Sequence, residues 1–313
     1  MSKVTVIGAG NVGGTCANVL LQKKVVSQLV LLDINAGVAE GKTIDITQSA
    51  TLLGLDTRLT GCTNDYLETE NSDVVVITSG IPRKPGMTRE DLIGTNANIV
   101  KNVTQNVLKH SPNAVIVVVS NPMDTMTYLA LKTAGISKNK IIGLGGILDT
   151  ARFKYYLSKE LNVQPKQLDA IVIGGHGDTT MIPLTRIAKV NGELISNKLD
   201  AGVLKKIATD TMVGGATITG LLGTSAWYAP GAASAYLVEA ILSDSREVLP
   251  CSVYLDGEYG HSDICIGVPV VVGRNGWEKI IDLELNEEEN EMLNISISSI
   301  RSMNLVLEDM HVV

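Results

Sequence analysis

Lys3-Val4-Thr5-Val6-Ile7-Gly8-Ala9-Gly10-Asn11-Val12-Gly13 decides the fold. Lys3 is followed by four β-branched residues that read as a buried strand, which runs directly into Gly-x-Gly-x-x-Gly, and a helical pattern continues to about Gln22. Each glycine has its own reason in that setting. The first permits a tight turn, the second lets a pyrophosphate reach the backbone, and the third lets the helix lie close to the strand. The phosphates then sit at the positive end of the helix dipole. Glycine-rich turns are common, so it is the strand before and the helix after that make this a dinucleotide fingerprint. Gly8, Ala9, Gly10, Asn11, Val12 and Gly13 are therefore cofactor-binding candidates.

Outward from that turn, Leu29 to Leu32 forms a second apolar strand ending at Asp33, twenty residues past Gly13. The fingerprint expects a carboxylate there for the ribose 2′-hydroxyl. Asp33 repels a 2′-phosphate and Ile34-Asn35 supplies no arginine to accept one, which favours NAD over NADP. The competing reading of Asp33 is a turn residue closing its strand. Runs at Val74 to Thr78, Ala114 to Val119 and Ile141 to Leu144, with a weaker one at Thr57 to Thr60, continue the alternation of strand and helix. That alternation predicts an α/β fold, a doubly wound parallel Rossmann sheet covered on both faces. Glycine concentrates at Gly143-Leu144-Gly145-Gly146, which divides the chain into a cofactor domain at 1–145 and a second, α+β substrate domain at 146–313.

Composition limits the function classes. With 313 residues, 45% apolar, the chain is long enough for about two domains. Its longest strongly apolar run, Ala114 to Val119, is far short of the ~20 residues that span a bilayer. The start of the chain carries no secretory pattern, so a cytoplasmic location is the expectation. A formal charge of −7 argues against nucleic-acid or membrane-surface partners, which need clustered cations. Cys16, Cys62, Cys251 and Cys265 lack paired or metal-type spacing, so neither disulfides nor a metal site is expected.

Four further stretches carry chemistry. Gly80-Ile81-Pro82-Arg83-Lys84-Pro85-Gly86-Met87-Thr88-Arg89 leaves the carboxyl end of the fourth strand and has the composition of a lid, with Arg83 and Arg89 as planar forks for a carboxylate or carbonyl. A solvated basic loop is the plainer reading. Val119-Ser120-Asn121-Pro122 closes the fifth strand and puts an amide at its end. Ile171-Val172-Ile173-Gly174-Gly175-His176-Gly177-Asp178 runs an apolar strand into a histidine flanked by glycines, a candidate general acid/base. Asp149 and Arg152, three apart on a helix from Ile147 to Leu161, make either a surface ion pair or two tools. In the second case Asp149 orients His176 and Arg152 clamps a carboxylate.

These stretches, in this order, resemble the lactate/malate dehydrogenase family, most nearly its malate-specific branch closest to the lactate-specific enzymes, over about residues 4 to 310. The resemblance implies hydride exchange between (S)-malate and NAD, with His176 taking the hydroxyl proton and Asp149 orienting it. It further implies that Arg152 holds the C1 carboxylate, that Arg89 polarises the C2 oxygen, that Asn121 binds near that oxygen, and that Asn96, Val119, Ser120 and Asn121 contact the cofactor. Arg83 stands where lactate-specific members typically carry glutamine, which favours a second carboxylate and a malate/oxaloacetate substrate. The family also implies a homodimer or homotetramer. Lactate or another 2-hydroxy acid as substrate, an NAD-dependent glycosidase and a non-catalytic NAD-binding protein are the rival readings.

Overall fold

The computed structural model describes residues 2–81 and 89–312. Six strands open the chain: β1 (Lys3–Ile7), β2 (Gln28–Asp33), β3 (Arg58–Thr63), β4 (Val74–Ile77), β5 (Val115–Val118) and β6 (Ile141–Gly143). They are parallel and lie in the order β3-β2-β1-β4-β5-β6, so the chain reverses direction of travel between β1 and β4. That reversal opens a crevice at the carboxyl ends of β1 and β4, where open α/β sheets receive ligands. β4 and β5 read Val-Val-Val-Ile and Val-Ile-Val-Val and are buried at every position, as strands covered on both faces must be. The helices α1 (Asn11–Lys23), α2 (Val38–Leu52), α3 (Arg89–His110) and α4 (Met123–Ala134) alternate with them. In α1, Cys16 and Leu20 are fully buried, while Val12 and Val19 flank them half-buried.

Helix α5 (Gly146–Leu161) opens the second half. Its strands are β7 (Leu168–Asp169), β8 (Val172–Gly174), β9 (Met181–Pro183), β10 (Lys189–Val190), β11 (Glu193–Leu194), β12 (Val248–Asp256), β13 (Ser262–Gly273) and β14 (Gly276–Ile280). The sheet does not stop with its parallel strands. β6 pairs antiparallel with β12, and β13, β8 and β9 follow, giving the described residues one eleven-stranded sheet plus a small sheet of β11, β10 and β7. Gly143, Ser252, Gly267 and Gly174 lie side by side in one row across β6, β12, β13 and β8. Glycine is needed at the last contact: a Cβ on Gly267 would lie 2.5 Å from the Gly174 carbonyl oxygen.

Four helices complete the second half: α6 (Ala201–Met212), α7 (Gly214–Leu222), α8 (Tyr228–Leu242) and α9 (Glu287–Asp309). The sequence predicts one helix over 211–222, but the structure breaks it at Val213 between α6 and α7. The backbone at Gly214-Gly215 packs on the Arg152 side chain, with the Gly215 Cβ position 3.3 Å from Nη2. α9 begins with the capping box expected of Asn286 and Glu289: Asn286 Oδ1 accepts from the Glu289 N–H at 2.8 Å and Glu289 Oε2 from the Asn286 N–H at 2.9 Å. Among the described residues, no helix is long and apolar enough to cross a membrane. All four cysteines are free and buried.

Candidate active site

The glycine turn between β1 and α1 separates the three reasons for glycine. Gly8 has φ +100°, and a Cβ there would lie 2.8 Å from the Ser79 backbone nitrogen. On Gly13 a Cβ would lie 1.9 Å from the Gly8 carbonyl oxygen, so helix and strand touch. Around Gly10 nothing lies within 4 Å of that position. The open side of the turn is thus at the second glycine, which also caps α1 without a side chain on its amides. A phosphate fits such a cradle.

Asp33 closes β2 beside this turn. Its Oδ2 accepts from the Ala9 N–H at 2.7 Å, while Oδ1 accepts from the Asn35 backbone and side-chain amides at 2.9 and 3.0 Å. The carboxylate therefore shapes the turn as well as facing a cavity of about 570 Å³ lined by Gly10, Asp33, Ile34, Tyr66 and Ile99. Lys42 of α2, which sequence reasoning did not single out, donates from Nζ to the Gly10 carbonyl at 2.9 Å. Burial lowers its pKa and the Asp33 charge opposes that shift.

A second cleft, of about 360 Å³, opens beside Val12 and Val119 and is lined by Asn121, Arg152, His176, Asp178 and Ser225. Ser225, rather than Thr224, faces it, together with Thr219. Asn96 is 1% exposed. Its Oδ1 accepts from the Ile81 N–H at 2.8 Å and its Nδ2 donates to the carbonyls of Asn121 at 2.7 Å and Ile81 at 3.2 Å. This amide ties the stem of the Gly80–Arg89 segment to Asn121. Ser120 is similarly engaged, donating to the Ser79 carbonyl at 2.5 Å. Arg83 and the side chain of Arg89 lie outside the described residues; α3 begins at Arg89.

His176 follows β8 in a turn built on Thr180, whose Oγ1 donates to the Gly175 carbonyl at 3.0 Å. A Cβ on Gly175 or Gly177 would come to about 3 Å from that hydroxyl. These glycines thus serve Thr180, and only Gly174, with φ +86°, is a sharp-turn position. His176 Nδ1 lies 2.8 Å from Asp149 Oδ2, and Arg152 Nη1 donates to Asp149 Oδ1 at 3.1 Å. The side chains are 16, 3 and 14% exposed, so the Asp149–Arg152 pair is no surface ion pair. Burial alone would lower the imidazole pKa. The charge and hydrogen bond of Asp149 outweigh it, against an opposing contribution from Arg152, and the net shift is upward from the ordinary histidine value.

A dinucleotide cradle at the switch point of a parallel sheet, opening toward an imidazole held by a carboxylate, defines a nicotinamide-dependent oxidoreductase. Residues 2–143 match the family model of the lactate/malate dehydrogenase NAD binding domain, and residues 147–307 that of the lactate/malate dehydrogenase alpha/beta C-terminal domain. A malate dehydrogenase of Bacteroides thetaiotaomicron is 61% identical over 309 residues, covering 99% of each chain. Among solved structures, malate dehydrogenase from Salinibacter ruber superposes with a TM-score of 0.94 at 43% identity, over 99% of this chain and 98% of that one. The lactate dehydrogenase from Cryptosporidium parvum, solved with lactic acid and NAD, gives 0.93 at 35% identity over 98% of each. The chain belongs to the lactate/malate dehydrogenase family. It is an oxidoreductase whose cofactor is NAD.

Proposed function

We propose that the chain interconverts (S)-malate and oxaloacetate, and the observation that carries the reading is the buried His176–Asp149 pair at the cleft. When bound, NAD supplies the nicotinamide that exchanges a hydride equivalent with the substrate's C2. The chain's own residues handle charge and protons. With Nδ1 held by Asp149, His176 presents Nε2, which takes the hydroxyl proton of malate and returns it to the carbonyl oxygen in reduction. Asp149 fixes the tautomer and stabilises the protonated ring. Arg152, held on one nitrogen by Asp149 and backed by Gly214-Gly215, offers its remaining donors to the C1 carboxylate. Arg89 polarises the C2 oxygen, Asn121 binds beside it, and Arg83 receives the second carboxylate.

The cofactor residues divide by what they do. Gly8, Ala9, Gly10, Asn11, Val12 and Gly13 form the phosphate cradle, and Asp33 takes the ribose. Val119 and Asn121 border the cleft, while Asn96 and Ser120 act from beneath by holding the backbone around it. The gap between the two family matches supports a boundary after Gly145, with an NAD domain at 1–145 and a substrate domain at 146–313. A homo-oligomer in the cytoplasm is part of the same reading, and sedimentation equilibrium decides between dimer and tetramer.

Loss of NADH absorbance with a panel of 2-oxo acids tests the substrate. Oxaloacetate is expected to exceed pyruvate in kcat/KM by about a hundredfold or more. Equal use of the two acids sinks the dicarboxylate assignment, and no oxidation with any acid sinks the enzymatic one. For the cofactor, Asp33→Asn keeps one acceptor oxygen, for either the Ala9 or the Asn35 amides, and removes the charge that repels a 2′-phosphate. The ratio of NADPH to NADH dissociation constants, titrated by nucleotide fluorescence, is expected to narrow by about tenfold, ~1.4 kcal/mol. An unchanged ratio removes Asp33 from cofactor choice.

A further inference from the structure

Asp124 belongs to none of the groups assigned above, yet it holds the main chain of His176. It stands in the first turn of α4 and is 4% exposed. Its Oδ2 accepts from the His176 backbone N–H at 2.7 Å, and its Oδ1 accepts from Ser252 Oγ at 2.7 Å. Ser252 is the one residue with a side chain in the row Gly143, Ser252, Gly267, Gly174. That side chain is a hydroxyl directed at Asp124, and a Cβ on Gly143 would come within 2.8 Å of the Ser252 Cβ. The crossing of β6 and β12 is thus kept clear around this contact. A buried carboxylate is costly unless donors satisfy it. Here a peptide N–H, which can only donate, faces one oxygen, a hydroxyl serves the other, and the helix N-terminus favours negative charge.

We propose that Asp124 is a positioning residue: a second buried carboxylate that fixes the His176 main chain and, with Asp149, favours the protonated imidazole. The proposal rests on His176 being the acid/base. Among the described residues, the charged groups around the ring are Asp149 and Arg152 from α5, Asp124 from α4 and Asp178 from the same turn. Asp149 and Asp124 favour the charged ring and Arg152 opposes it. Burial raises the pKa of Asp124 itself, while the His176 N–H and the Ser252 hydroxyl pull it back.

The test is an NMR titration of the His176 ring in the unliganded protein, wild type against Asp124→Asn, which retains an acceptor for the amide. The ring pKa is expected to fall by about half a unit to one unit. The pH at which kcat/KM for malate rises moves down by the same amount. An unmoved ring pKa, with turnover reduced equally at every pH, makes Asp124 a structural anchor only and overturns the proposal. Ser252→Ala keeps the charge and is expected to leave the titration within about 0.3 unit. A shift as large as that of Asp124→Asn would assign the effect to the hydrogen bonds and overturn it too. Should Asp124→Asn fail to fold, the carboxyl 13C shift of Asp124 in the wild type decides, assigned through its perturbation in Ser252→Ala. An ionised carboxylate at neutral pH supports the proposal and a protonated one overturns it. The ring titration needs no turnover, so its outcome is separate from that of the acid/base assignment.

Discussion

Asp149→Asn is expected to lower kcat by about four powers of ten while NADH affinity stays within about twofold of the wild type. The side chain is 3% exposed and each of its oxygens has a charged or ring partner: Oδ2 faces His176 Nδ1 and Oδ1 accepts from Arg152 Nη1. Asparagine fits the same space with one acceptor. Arg152 can only donate, so the amide oxygen is drawn to it and the NH2 group is turned toward the imidazole. An NH2 facing Nδ1 demands a lone pair there, which moves the ring proton to Nε2, the nitrogen that must receive the proton of the alcohol. The site is then intact in shape and wrong in tautomer. Steady-state kcat together with a fluorescence titration of NADH separates this from loss of cofactor binding, and a kcat reduced less than tenfold would refute the role given to Asp149.

The same substitution changes the pH response in a direction fixed by the raised pKa of His176. Reduction of oxaloacetate needs the protonated ring, so kcat/KM for oxaloacetate holds below that pKa and declines as pH rises through it. Malate oxidation needs the neutral ring and declines as pH falls through it. Removing the carboxylate leaves burial and Arg152, which disfavour the charged ring, against the smaller opposing contribution of Asp124, so both limbs shift to lower pH.

What the sequence displays and what it hides follows from how each element is buried. β4 and β5 are covered on both faces and their unbroken apolar runs stand out, as does the β-branched run of β1. The glycine turn, Asp33 and the His176 stretch stand out because chemistry restricts residue type there. β12 carries Pro250, Cys251 and Ser252 amid its apolar residues, and β8 and β9 are three residues each, too short for a periodicity. At the break at Val213, Gly214-Gly215 packs on the Arg152 side chain from another helix, a contact no local pattern records. Asp124 looks like any acidic residue in a helix's first turn, and Lys42 like any helix lysine. Their partners, the His176 amide and the Gly10 carbonyl, are brought to them only by the fold. Gly175 and Gly177 leave room beside His176 for the Thr180 hydroxyl, a contact that the glycines alone do not announce.

In Arg83→Gln the preference for oxaloacetate over pyruvate is expected to shrink by about two to three powers of ten in kcat/KM, oxaloacetate losing and pyruvate gaining. The charges of the described cleft are the reason. Apart from His176, the cation among its described lining residues is Arg152, which already shares a nitrogen with Asp149, and Asp178 adds a further negative charge. One guanidinium can match one substrate carboxylate. On the proposed assignment, a second finds its counter-charge in the segment after β4, whose sequence carries Arg83, Lys84 and Arg89. Lactate or pyruvate would leave Arg83 facing a methyl group, and an unpaired cation shut away from water costs roughly 3 to 5 kcal/mol. Glutamine removes that penalty for pyruvate and the ion pair for oxaloacetate, so the two effects act on the ratio in the same direction. Measuring kcat/KM for both acids at two ionic strengths is decisive. An exposed Arg83 that only attracts dianions would lose its effect as salt rises, whereas a buried pair would keep it. A preference for oxaloacetate undiminished in the variant would place the second carboxylate elsewhere.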